Sequence, residues 1–170
     1  MLGSRSHLVG IGSAIAISAA LSLLVASTVL ATSPSVVHHV TAGGPDACTG
    51  AGDKPGCDGN FSLVASQYAD GTASGQYTDR FANGSGFKAV VDCVRVVGNE
   101  AWISGRITSG RAGDNDLAGL PFSTLVADNG TSAAQPPDQI STSHVGNETP
   151  CTDLSPWDLF DMPQGQVIVN

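Results

Sequence analysis

The sequence predicts an all-β fold, either an antiparallel β-sandwich or a small β-barrel of about seven strands. Three observations predict it. Short runs whose apolar residues are mainly Val, Ile, Leu and Ala alternate between apolar and polar residues from Phe61 to the C-terminus. Gly, Asn and Asp residues that suit tight turns separate these runs at even spacing. A helical period is almost absent from the same part of the chain.

The first 31 residues predict a secretory signal peptide instead of a part of the fold. Arg5 precedes an uncharged apolar run of 23 residues, 8–30, and Ala31 provides the small residue that a signal peptidase reads. An uncleaved anchor is the alternative, because such a run can span a bilayer of about 30 Å. We expect cleavage after Ala31 and a secreted, extracellular protein, so the membrane is a partner only if the segment stays attached.

The charge of the chain bears on its partners. Seven Lys and Arg residues stand against 15 Asp and Glu residues, a net charge of −8, and loss of Arg5 with the signal peptide makes the protein one unit more negative. A phosphate backbone is repelled by such a surface. We therefore expect no nucleic acid partner, and an extracellular protein, glycan or small ligand of unknown identity instead.

Four cysteines, an even number in an exported chain, predict two disulfides. They are Cys48, Cys57, Cys93 and Cys151. We favour Cys48–Cys57, which closes a Gly-rich loop, and Cys93–Cys151, which ties a strand to a Pro-flanked loop, while the other connectivities stay open. A zinc site is disfavoured, because the cysteines are not closely paired with histidines nearby.

Residues 32–60 are rich in Gly, Pro, Ser and Asp, a composition typical of a linker. Val36, Val37 and Val40 predict one short strand in it, followed by the small disulfide loop. The predicted organisation is therefore a signal peptide at 1–31, a linker with a disulfide loop at 32–60, and a secreted β-domain at 61–170.

The β-domain begins with two predicted hairpins. Residues 61–68 and 73–81 flank an Asp-Gly turn, and residues 87–97 and 100–108 flank Gly98-Asn99, a pair that tolerates the positive φ of a tight turn. The second turn fixes a register with two faces. The outer face pairs Val97 with Glu100, Arg95 with Trp102 and Cys93 with Ser104, and the core face pairs Val96 with Ala101, Val94 with Ile103 and Val90 with Ile107. Arg95 and Trp102 are expected to form an exposed cation–π pair.

The remaining elements are shorter. Residues 109–119 predict a loop, 120–128 a strand, 129–138 a long loop and 139–145 a further strand. Residues 155–160 predict one helical turn, capped by Ser155 with Pro156 in the first position. Residues 165–170 predict the closing strand.

Several of these motifs together resemble a family of uncharacterised bacterial secreted β-domains. The resemblance covers residues 61–170 and leaves the Cys48/Cys57 loop outside. It implies export and a β fold, and it implies no activity. The matching residues are Asp70-Gly71-Thr72, Gly75-Gln76, Cys93, Gly98-Asn99, Ala101, Gly105, Asp128-Asn129-Gly130, Pro136-Pro137-Asp138, Cys151 and the closing GQVIVN.

Two loops supply candidate binding residues. Asp114 and Asp116, with Gly119 in the sixth position, match the first half of a calcium-binding loop, but Leu125 occupies the position of the final Glu. A solvated acidic turn is therefore favoured, no cofactor is expected, and calcium is the alternative.

The second loop begins at Asp128-Asn129 and ends at Asp138. Long loops often carry function, while a structural Asx-turn with a rigid Pro-Pro exit is the simpler interpretation. His38, His39 and His144 do not form a local three-histidine site.

No catalytic residue is assigned, because the Gly-x-Ser-x-Gly, His-Glu-x-x-His and phosphate-loop motifs are absent from the sequence. The leading hypothesis is a non-catalytic interaction or small-ligand-binding module. The alternative is an extracellular hydrolase that uses Asp114, Asp116, Asp128 and Asp138. A third hypothesis, a barrel that holds an apolar ligand, requires a hollow interior.

Overall fold

A computed structural model of the chain describes residues 33–46, 59–81, 84–132, 134–162 and 164–170. In these residues eleven strands form one curled antiparallel sheet with the shape of a half-barrel, so the predicted all-β class is confirmed. None of the described residues belongs to a helix long and apolar enough to cross a membrane. The predicted signal peptide and the Cys48/Cys57 loop lie outside the described residues.

The sheet has the order β10-β8-β7-β5-β4-β3-β2-β1-β11, with β6 paired to β5 and β9 paired to β7. One 3-10 turn, at Cys151–Asp153, lies between β9 and β10. The strands are β1 Val36–Asp46, β2 Gly59–Tyr68, β3 Ala73–Arg80, β4 Gly86–Val97, β5 Glu100–Ala112, β6 Asn115–Asp116, β7 Pro121–Ala127, β8 Gln139–Ser141, β9 His144–Val145, β10 Leu159–Asp161 and β11 Gln166–Val169.

Part of the predicted linker is a long strand of this sheet. β1 has 11 residues and pairs with β2 on one side and with β11 on the other, and Val40 within it is fully buried. Its glycines reflect close backbone approach, since a Cβ on Gly44 would lie 2.5 Å from the Cα of Gly165. The sheet therefore begins at Val36 and not at Phe61.

The β4–β5 hairpin confirms five of the six predicted pairs, from Val97–Glu100 to Cys93–Ser104. The sixth is wrong, because a β-bulge between Val91 and Cys93 shifts the register and pairs Ile107 with Ala89. The extra residue sends Asp92 to solvent and changes which side chains face inward. Val90 is consequently 46% exposed, while Val91 is buried.

Aromatic rings fill the interior of the curled sheet. Tyr77 stacks on Phe122 with ring centroids 5.1 Å apart, and it lies 6.1 Å from Phe61 and 5.7 Å from Phe87. All four rings are buried. These four rings therefore occupy the interior of the curled sheet.

A second, smaller core covers the outer face of the β4–β5 hairpin. Trp102 is only 7% exposed because it packs with Leu125 and Cys151, and its Nε1 donates a hydrogen bond of 3.0 Å to the carbonyl of Ser155. The exposed Arg95–Trp102 contact predicted from the sequence is therefore wrong, although the two residues form a cross-strand pair.

The predicted helical turn at 155–160 is also wrong. Residues 155–158 have no regular structure, and Leu159–Asp161 forms β10 against β8. The Ser155 carbonyl already accepts from Trp102, and the Ser155 hydroxyl donates to Asp153 instead of capping a helix. The only helical turn in this part of the chain lies earlier, at Cys151–Asp153.

The predicted Cys93–Cys151 disulfide is present and joins β4 to the 3-10 turn, with Cα atoms 5.8 Å apart. The chain that follows Cys151 is the segment that covers Trp102. The disulfide therefore holds this covering segment against the sheet.

We expect the double substitution C93A/C151A to lower the free energy of unfolding by roughly 2–5 kcal/mol, the usual effect of losing a native disulfide. Urea unfolding measures this loss, and a red shift of tryptophan emission reports opening of the smaller core, in which both Trp102 and Trp157 pack. The control D158A changes an exposed side chain of the same segment and should stay within about 0.5 kcal/mol of the parent. Equal urea midpoints for the parent and C93A/C151A would contradict the assigned role.

Candidate functional site

The candidate carboxylates lie at opposite ends of β5. Asp114 and Asp116 belong to the β5–β6 hairpin, beyond Ala112 at the end of β5. Asp128 follows β7, whose last residue pairs with Glu100 at the start of β5. The 13 residues of β5 correspond to roughly 40 Å of strand at ~3.3 Å per residue. The structure therefore does not bring the four carboxylates into one site.

Asp128 and Asp138 lie instead where the two ends of the curled sheet approach each other, a place that we call the seam. The backbone N–H of Val167 donates to Asp138 Oδ2 at 2.6 Å, and that of Val169 donates to Asp128 Oδ2 at 3.0 Å. Both N–H groups lie on the edge of β11 that faces away from β1. The two side chains thus cover an edge strand that would otherwise expose unpaired donors.

The other two carboxylate oxygens at the seam are also engaged. Asn129 N–H donates to Asp138 Oδ1 at 2.8 Å, and Gly130 N–H donates to Asp128 Oδ1 at 2.9 Å. The Asn129 amide donates to the carbonyl of Pro137 at 2.7 Å and closes the loop. These contacts match the Asx-turn with a Pro-Pro exit, and they give Asp128, Asn129 and Asp138 a role in the scaffold.

The β5–β6 hairpin is a tight turn. Asp116 Oδ1 accepts the backbone N–H of Ala118 at 2.9 Å, and Asp114 is exposed at the turn. Among the residues that the structure describes, no group of three or more His, Cys, Asp or Glu side chains is arranged to hold a metal ion. Calcium at Asp114 and Asp116 stays a prediction.

A buried polar cluster that the sequence analysis missed lies on the inner face of β3. Asp79 is 2% exposed, and its Oδ2 accepts a hydrogen bond of 2.7 Å from the Ser143 hydroxyl, which lies 2.9 Å from the hydroxyl of Tyr77. This cluster ties the segment between β8 and β9 to β3. The sequence pattern could have predicted this cluster. Side chains of a strand alternate between its two faces, so Asp79 lies on the same face as Tyr77, two residues earlier.

The outer face of the sheet carries a second missed feature, which we call the basic groove. It is an open pocket of about 290 Å³ where the end of β3, the start of β4 and the end of β5 lie side by side. Three of the seven Lys and Arg residues of the whole chain line it. Its lining consists of the outward-facing Thr78, Arg80, Gly86, Lys88, Ser109 and Arg111, together with Asp79, Gly84, Ser85, Phe87 and Gly110.

Strand register arranges these residues in two rows. Arg80 pairs with Gly86, which pairs with Arg111, and in the next row Lys88 lies between Thr78 and Ser109. The three cationic side chains are exposed, because the residues that alternate with them, among them Phe87, face the core. The alternation of side chains along each strand therefore directs the apolar residues into the core and the cations to the outer face.

The cations of the groove have no carboxylate partner among the described residues. The described residues contain one ion pair, Arg106–Glu148, with 3.5 Å between nitrogen and oxygen. This pair lies outside the groove. The sequence holds a signal for the groove, because each of its strands places Thr, Gly or Ser two residues before Arg or Lys. The signal was missed since Ser109 and Arg111 were assigned to a loop, whereas β5 continues to Ala112.

Comparisons of the chain with protein-family models, with curated proteins and with solved structures find no match. The resemblance to bacterial secreted β-domains stays an expectation from the sequence. The function is therefore argued from the geometry of the described residues.

Substitution of Asp138 by Ala should destabilise the fold by roughly 2–4 kcal/mol, because two backbone N–H donors lose their acceptor and a buried unpaired donor costs ~1–3 kcal/mol. Urea unfolding gives the difference. The matched control is D116A, which also removes one carboxylate but from an exposed turn, and it should cost less than about 1 kcal/mol. Similar losses in the two variants would show that the seam has no special role.

Proposed function

We propose that this chain is an exported, non-catalytic β-domain that binds an anionic extracellular ligand through the basic groove. The observation that carries the proposal is the concentration of Arg80, Lys88 and Arg111 in one open pocket, without carboxylate partners among the described residues. An acidic chain with few cations has placed three of them together on one surface.

The net negative charge of the chain does not cancel this local field. At physiological ionic strength charges are screened over a Debye length of about 8 Å. A ligand group in the groove therefore interacts with Arg80, Lys88 and Arg111 more strongly than with acids on distant strands. Two acids lie close to these cations: Asp79 contributes to the lining of the groove from the buried inner face, and Asp116 lies opposite Arg111 in the β5–β6 pair, where its Oδ1 accepts the Ala118 N–H.

Several features support a binding role without catalysis. The carboxylates at the seam are engaged by backbone donors, and the interior is filled by aromatic rings. The Cys93–Cys151 disulfide and the apolar N-terminal run support export to an oxidising compartment. The alternative, a hydrolase that uses the loop carboxylates, gains no support from Asp128 and Asp138, because all four of their oxygens accept backbone N–H groups. Asp114 and Asp116 lie at the other end of β5.

The proposal predicts that the double substitution R80A/R111A weakens binding of the purified protein to dextran sulfate at least about tenfold. Hydrogen bonds to charged groups contribute ~1.5–3 kcal/mol each, and 1.4 kcal/mol corresponds to tenfold. Surface plasmon resonance on immobilised dextran sulfate measures the affinity, which should also fall as salt is raised.

The charge-matched control is R95A/R106A, which removes two exposed arginines outside the groove. We expect its affinity to stay within about threefold of the parent. If both double variants lose affinity equally, net charge alone explains the binding and the groove has no role. If the parent itself does not bind dextran sulfate or polygalacturonate, the proposal fails.

A further inference from the structure

We propose that Gly86 forms the seat for a single oxyanion, a carboxylate, sulfate or phosphate group, which Arg80 and Arg111 hold from its two sides. This inference rests on the proposed function and names the group that the basic groove takes. The proposed function requires only a general attraction of anions. The clamp adds a specific geometry, in which two guanidinium groups bind one anion.

The register of three strands defines the seat. Arg80 and Arg111 both pair with Gly86, one from β3 and the other from β5, so all three positions lie in one row on the outer face. Neighbouring strands are ~4.8 Å apart, which places the two arginine Cα atoms roughly 10 Å from each other. Because residue 86 is glycine, no side chain projects from the position between the two arginines.

Backbone geometry explains why position 86 is glycine. Its φ is 140°, and a Cβ there would lie 2.2 Å from the carbonyl oxygen of Asp79. The opening between the arginines is thus a fixed consequence of how β4 begins beside β3. A replacement at Gly86 would disturb the strand itself and is not a useful test.

The charged residues around the seat are three cations, Arg80, Lys88 and Arg111, and one exposed acid, Asp116, which lies opposite Arg111 in the β5–β6 pair. Arg80 and Arg111 lie on the two strands that flank β4, and Gly86 between them offers no side chain that could separate their guanidinium groups. Asp79 is next to Arg80 in sequence, but its side chain is buried on the inner face and accepts from Ser143. A bound oxyanion would relieve the repulsion between the two guanidinium groups.

The chemistry of the donors selects the class of ligand. A guanidinium group is a planar fork that binds two oxygens of a carboxylate, sulfate or phosphate group at once. Lys88 adds a third positive charge from the adjacent row, and the hydroxyls of Thr78 and Ser109 flank it there. The groove is open, unlike the enclosed pockets that bury most of a small molecule, so it suits an oxyanion carried by a larger ligand.

The test is the substitution R80K/R111K, which keeps both charges and removes both forks. We expect the affinity for inorganic sulfate, followed by NMR chemical-shift titration of the purified protein, to fall about tenfold, since a lysine does not replace a bidentate arginine. R80A/R111A should abolish the shifts near Gly86, while R95A/R106A should leave them unchanged. Thermal unfolding of each variant controls for the fold.

Each outcome separates the clamp from the proposed function. If R80K/R111K binds sulfate and dextran sulfate as the parent does, while R80A/R111A does not, the clamp is wrong and the anionic function stands. If neither double variant differs from the parent, both proposals are wrong. Parallel titrations with inorganic sulfate and glucose 6-sulfate distinguish a free ion from a group carried by a sugar, and the clamp requires shifts at Gly86 with at least one of them.

Discussion

The hydrogen bonds from the backbone of β11 to two aspartate side chains are the constraint on which this half-barrel depends. A curled sheet has two end strands, and the exposed donors of an end strand invite pairing with other chains. Val167 and Val169 direct such donors away from β1, and Asp138 and Asp128 accept them. At the seam, aspartate side chains accept the backbone N–H groups that a neighbouring strand would otherwise accept. On its other edge β11 pairs with Val40 to Gly43 of β1.

The seam also explains why the long loop after β7 has its composition. Asn99, in the turn between β4 and β5, donates to the carbonyl of Asp128 and to the side chain of Asn129. Asn129 donates to Pro137. The Asp-Asn-Gly start and the Pro-Pro-Asp end of the loop are therefore held together and both lie against β11. The two ends of this loop therefore have a structural role, because they hold β11 in place.

Local patterns in the sequence predicted the strands well, because alternation and turn residues act within a few positions. The Gly98-Asn99 turn fixes the hairpin register as far as Cys93–Ser104. Prediction failed where a distant partner decides the outcome. The bulge that contains Asp92 keeps a charge out of the core, β1 requires the backbone of Gly165 beside Gly44, and Trp102 takes the Ser155 carbonyl. Gly165 is far from Gly44 in the sequence, and Ser155 is far from Trp102, so a local pattern of residues does not predict either contact.

The same reasoning separates the residues that the sequence favoured from those that the geometry favours. Acidic side chains in loops are obvious candidates for a binding site. At the seam, however, Asp128 and Asp138 accept hydrogen bonds from backbone N–H groups of β11, which is distant in the sequence. The arginines of the groove lie in regular strands, and the sequence around each one does not by itself indicate a binding site. They become a candidate site only when β3, β4 and β5 align Arg80, Gly86 and Arg111 in one row. Because a sheet adds residues from several strands to one surface, a binding site on its face depends on register, and register over three strands is a property of the fold.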